Sequence, residues 1–176
     1  MFQPGDSQSY SDDPGFVPKA MGFDFPCDDC LAVVCLPSFH PEEIWCVYPS
    51  GKISIVIATR SIWSSIPQRV KSSGSREWSW VTHDNFSPNC VERYGLDDDA
   101  AIFPNAVNAL RSYLVPEAAC CDGIAFKFTL TSNGQTTRFS VSNPIKSNLL
   151  DFLNLLSDKV ASVASRSAVG QYLTGR

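Results

Sequence analysis

The residues best equipped for chemistry are seven cysteines and two histidines, and their spacing decides how far they can be taken. Cys27-Asp28-Asp29-Cys30 is a CxxC pair, with Cys35, His40 and Cys46 downstream as possible further ligands. A structural zinc site normally draws on a second close pair of that kind. The sequence has none, so the expectation is that no metal is held. A thioredoxin-type role would need a βαβ context after the pair, and none follows. A thiol nucleophile could be assembled from any cysteine with His40 or His83, and His83-Asp84 sets a carboxylate beside an imidazole. Catalytic triads form in space rather than along the chain, and no nucleophile signature surrounds any of the cysteines. No residue is therefore expected to be catalytic.

Three aspartates and a tryptophan pair are the remaining candidates. Asp97-Asp98-Asp99 lacks the spaced oxygen ligands and glycine of a calcium loop. Its carboxylates suit either the start of a helix, where the dipole favours negative charge, or an exposed acidic patch. Trp78 and Trp80 fall on one face of an alternating segment. Buried, such residues are core. Exposed, they make a binding hot spot. The candidate partner-binding residues are accordingly Trp78, Trp80, Asp97, Asp98 and Asp99. The glycines are scattered singly, with neither GxGxxG nor GxxxxGK[ST], so nucleotide binding has no support and no cofactor is expected.

The elements that must position these residues are marked by turns and periodicity. Residues 1–26 carry Pro4, Pro14, Pro18 and Pro26 without hydrophobic periodicity and are expected to form an extended or disordered arm, although Phe16, Phe23 and Phe25 could dock it on the body. Leu31 to Leu36 is a short apolar run closed by Pro37, as expected of a buried strand. A first hairpin turns at Ser50-Gly51. Read as a two-residue loop, it sets Tyr48 opposite Ile53, Cys46 opposite Ile55 and Ile44 opposite Ile57. A second turns at Asn133-Gly134, a favoured type I′ pair, and sets Leu130 opposite Thr137, Phe128 opposite Phe139 and Phe126 opposite Val141. That register leaves Lys127, Thr129, Arg138 and Ser140 on a wet face. Residues 77–82 alternate as a further strand and 64–76 read as a loop.

Two helices follow. One carries Phe103, Val107, Leu110 and Leu114 after the aspartates, with Pro104 in its first turn and Pro116 beyond it. The other is expected to start with Asn143 as N-cap and Pro144 at the first helical position, and carries Leu149, Phe152, Leu153, Leu156 and Val160. The fold class is α+β in two layers, an antiparallel sheet of about five to six strands with two helices packed on one face. One domain over 27–166 and a frayed tail over 167–176 complete the expected organisation.

Composition narrows the function. Hydrophobic residues make up 44% and charged residues 18%, enough apolar surface for a core, which excludes global disorder. The formal charge of −4 and the lack of a Lys/Arg cluster argue against nucleic acid. The start, Met1-Phe2-Gln3-Pro4, lacks the basic and apolar segments of a signal peptide, and no run is apolar long enough to span a bilayer, so no membrane partner and a cytoplasmic location are expected. These features favour a non-enzymatic protein-binding domain whose partner is a protein, steered by charge toward a basic one. By analogy of class, its most concrete form is a small bacterial immunity protein that neutralises a toxin. A Cys/His-dependent hydrolase or transferase is the alternative. A further alternative comes from the order of strands and helices, which with the acidic balance resembles type III secretion chaperones. The sequence departs from those in lacking their N-terminal helix.

Overall fold

The computed structural model describes residues 16–26, 28–62, 68–71, 78–81, 87, 89–113, 123–145 and 147–173. In chain order these form α1 (Phe16–Ala20), β1 (Cys30–Pro37), β2 (Glu43–Val47), β3 (Lys52–Ala58), β4 (Gln68–Lys71), β5 (Trp78–Val81), β6 (Val91–Asp97), α2 (Ile102–Arg111), β7 (Ile124–Ser132), β8 (Gln135–Ser142), α3 (Asn148–Val163) and α4 (Gly170–Leu173). Six strands make one antiparallel sheet in the order β6-β3-β2-β1-β7-β8, and β4 and β5 pair separately. The α+β class is as expected. β4 lies inside the segment expected to be a loop, and β5 inside the expected strand.

The sheet has two buried faces at its centre. On the inner face Leu31, Val33, Trp45, Ile55 and Phe126 pack against Ala106 and Leu110 of α2 and Leu149, Leu153 and Leu156 of α3. On the outer face Ala32, Val34, Ile44, Cys46 and Val56 pack against Val17 and Met21. This overturns part of the arm expectation. Residues 16–20 form a helical turn and Met21 is fully buried, whereas Phe23 and Phe25 do dock on the body, against the same cluster. Four prolines hid the turn, because Pro18 is tolerated early in a helix. Met21→Ala is expected to cost about 2–3 kcal/mol, as for other buried methionines. Urea denaturation would read this, and an unchanged midpoint would mean that the arm is not part of the core.

Burial on both faces also explains why the first hairpin takes a register other than the expected one. Val47 pairs with Ile53, Trp45 with Ile55 and Glu43 with Ile57, one residue away from the expected register. The loop holds three residues, Pro49-Ser50-Gly51, closed by Tyr48 N donating to Lys52 O at 2.9 Å, with Gly51 at φ +86°. A turn followed by a left-handed glycine is the usual three-residue solution. Since β2 and β3 are apolar on both sides, hydrophobic pattern could not choose between registers. The second hairpin forms as expected, with Asn133 at φ +51° and Gly134 at φ +74°. Of its four wet-face residues, Arg138 and Ser140 are exposed and Lys127 is half-buried, but Thr129 is buried.

One strand had no counterpart in the sequence reading, and two further expectations are corrected. β6 carries Glu92, Arg93 and Gly95, so it showed no strand pattern in the sequence. It is an edge strand, half in solvent, where such residues are common. The long helix starts at Ser147, whose Oγ accepts from Leu150 N at 3.2 Å, and not at Asn143. Asn143 adopts φ +48° and ends the sheet instead: its Oδ1 accepts from Ile124 N at 3.0 Å, and its N–H donates to Ile124 O. The expected frayed tail holds α4 at Gly170–Leu173, with Val169 and Leu173 buried in the inner core.

Candidate functional site

Three places gather polar side chains, and the first is the corner where β1 passes to β2. Glu42 and Glu43 are adjacent and fully buried, yet they point to opposite faces of the sheet, as neighbouring strand residues must. They cannot act as a general acid/base pair. The Glu42 carboxylate accepts from Ile62 N at 2.8 Å and Ser61 Oγ at 3.2 Å. The Glu43 carboxylate accepts from Trp45 Nε1, Ser167 Oγ and Ala168 N, each at 2.9 Å, and from the amide of Val169. Burial pushes the Glu43 carboxyl up, and the four donors pull it partly back. Its geometry is that of a latch holding the chain after α3 onto the sheet. Sequence reading missed it. The only signal was a charged pair opening an apolar strand, since the partners lie more than a hundred residues away.

His40 belongs to the same corner. Its Nδ1 lies 2.7 Å from the Tyr172 hydroxyl, which also accepts from Phe39 N at 3.1 Å, and the two rings meet edge to face. The His40 ring and the Tyr172 hydroxyl share this hydrogen bond, and with it the imidazole positions α4. Cys35, Cys30 and Cys46 are buried, and burial raises all three thiols; Glu43 adds to this at Cys35. Such thiols are poor nucleophiles. Cys90 is partly exposed, and its thiol is lowered by hydrogen bonds from Ser87 and by Arg60 nearby. Among the described residues no group of three or more His, Cys, Asp or Glu side chains could hold a metal ion. Cys27 and His83 lie outside the described residues.

The second place is the acidic run, which the fold largely absorbs. Asp98 pairs with Lys159 of α3 at 2.7 Å and accepts from Asp99 N, and both contacts lower its carboxyl. Asp99 Oδ1 accepts from Ala101 N at 2.9 Å, one residue before α2. Asp97 ends β6 and is exposed. Trp78 and Trp80 are placed in β5, across from Lys71 and Arg69 of β4. The structure thus does not bring the tryptophans and the aspartates into one element or one sheet.

The third place is the outer face of β7 and β8. The arm covers the outer face over β1, β2 and β3 and runs as far as Phe25 beside β1. Beyond it opens a groove of about 200 Å³, lined by Phe25, Lys127, Thr129, Arg138 and Ser140 among others. Thr129 is its buried floor, and Arg138 and Ser140 form its open side. Cations and hydroxyls beside an aromatic ring can accept an anionic group by charge and hydrogen bonds.

No family model, no curated protein and no solved structure matches this chain. No helix among the described residues is long and apolar enough to cross a membrane. What the fold defines is a class, an α+β domain built on a six-stranded antiparallel sheet.

Proposed function

We propose that this chain is a non-enzymatic protein-binding domain, and that its most concrete form is a toxin-neutralising immunity protein. The observation that carries the reading is the uneven dressing of the sheet. Its centre is buried on both faces, whereas Gln135 to Arg138 of β8 stand exposed beside the groove. Four polar side chains elsewhere serve the fold: Glu43 and His40 hold the C-terminal segment, and Asp98 and Asp99 hold the entry to α2. This favours binding over the Cys/His hydrolase or transferase. The net charge of −4 supports long-range attraction to a basic partner. A cytoplasmic location belongs to the same proposal.

The test is co-expression with the product of the gene beside its own. The expected result is a complex that suppresses that product's toxicity and associates more slowly as salt rises, because screening shortens the reach of exposed charge. Undiminished toxicity with no complex would overturn the immunity reading.

A further inference from the structure

The two edges of the main sheet are treated differently. At β6, the Arg93 guanidinium donates to Met21 O and Gly22 O at 3.3 and 3.0 Å, tying the arm to the edge, and Glu92 pairs with Arg166 at 3.1 Å. Such charge dressing discourages strand addition. At β8 the only charged residue is Arg138, and neither proline nor bulge interrupts the ladder from Gln135 to Ser142.

The β7–β8 register fixes what that edge offers. In a two-residue hairpin the pair closing the turn, here Ser132 and Gln135, is hydrogen-bonded, and so is every second pair beyond it. Thr136, Arg138, Ser140 and Ser142 therefore turn their main-chain groups outward, to an edge that no strand among the described residues covers. The same four residues place their side chains on the outer face, next to the groove. On the inner face the half-buried Phe139 ring stacks on Phe128 with centroids 4.7 Å apart.

We infer that β8 is a recognition edge that takes up an extended acidic segment of a partner protein as an added strand. Its carboxylates at alternate positions meet Arg138 on the outer face, and its apolar side chains between them extend the core over Phe139. Main-chain hydrogen bonds supply affinity in this mode, and side chains on alternate faces supply specificity. Charge complementarity selects the occupant: on the outward face of β8 the exposed Arg138 stands among the hydroxyls of Thr136, Ser140 and Ser142, with no carboxylate among them. Net acidity of the whole molecule governs distant attraction, whereas this edge reads one segment locally. The inference rests on the binding reading and specifies its surface.

The probe is a fluorescein-labelled heptapeptide alternating aspartate with valine, titrated by anisotropy against the full chain. Saturable binding is expected in the sub-millimolar range, weakening as salt rises. Arg138→Glu, on an exposed side chain, should weaken it at least ~10-fold by reversing the facing charge. Ser140→Pro should abolish it by removing an edge-facing N–H, a change that edge strands tolerate. Each variant is checked for parental melting, and amide shifts of the unmodified protein must move at Arg138 and Ser140. Absence of binding, equal binding of a lysine–valine peptide, or indifference to Arg138→Glu would overturn the inference. So would concentration-dependent pairing of two copies through β8, seen by sedimentation without peptide. Failure of toxin neutralisation with peptide binding intact would count against the immunity reading alone, and the converse against the edge alone.

Discussion

Gly51→Ala is expected to lose about 3–5 kcal/mol of stability, while Gly134→Ala loses only about 1 kcal/mol, although both glycines close hairpins and both have positive φ. The difference lies in what a Cβ would meet. At Gly51 it would overlap the main-chain oxygen of Asp98 and sit 3.0 Å from Ala100 N. These are backbone atoms in the connection from β6 to α2, so they cannot swing aside. Gly51 O also accepts from Asp98 N at 2.9 Å, and Asp98 holds Lys159. Displacing that connection would disturb a turn, an edge strand and two helices together. At Gly134 a Cβ would find nothing within 4 Å, which leaves only the conformational cost of the left-handed region. Gly134→Asn should be milder still, since asparagine tolerates that region. Urea melts of the Ala pair decide the point: equal losses would mean that the two turns do not differ in packing.

Glu43→Ala is expected to cost about 4 kcal/mol, and Glu43→Gln about 2–3 kcal/mol, despite near-identical size. The carboxylate accepts from four donors, three of which are N–H groups with no acceptor capacity. A glutamine would turn an NH2 toward two of them. The pH dependence has a defined sign. Burial raises the folded-state pKa above its ordinary value, so between the unfolded and folded pKa values the native state binds more protons than the unfolded state. This group's contribution is therefore fully present below the unfolded pKa and falls as pH rises through the folded one. Glu43→Gln should remove that slope while lowering stability throughout. A variant as stable as the parent, or one keeping the full slope, would show that the latch is not formed.

How legible these features are in the sequence follows from how many physical constraints each carries. The β7–β8 hairpin is doubly specified: Asn133-Gly134 selects the turn, and Phe126, Phe128 and Val141 select the buried face. The β2–β3 hairpin has an apolar residue available to either register, so only the loop length decides, and Pro49 with a left-handed Gly51 makes it three residues. β6 is obscured by its position, since an edge strand need not alternate. Asp97-Asp98-Asp99 is legible as the entry to a helix, but the Lys159 contact that fixes Asp98 is not. Lys127, Arg138 and Ser140 are legible as outward residues of a hairpin. That they share a groove with Phe25, a hundred residues earlier in the chain, becomes visible only once the arm is placed on the sheet.

The central claim is that this domain works by binding and not by thiol or imidazole chemistry. It is tested most directly by assaying neutralisation of the partner with Cys90→Ser and His40→Ala, the partly exposed thiol and the one histidine among the described residues, and with Cys27→Ser and His83→Ala. The expected result is unchanged neutralisation by every variant that melts cooperatively at the parental temperature. Loss of activity in one such folded variant would contradict the binding account and put a Cys/His-dependent reaction in its place.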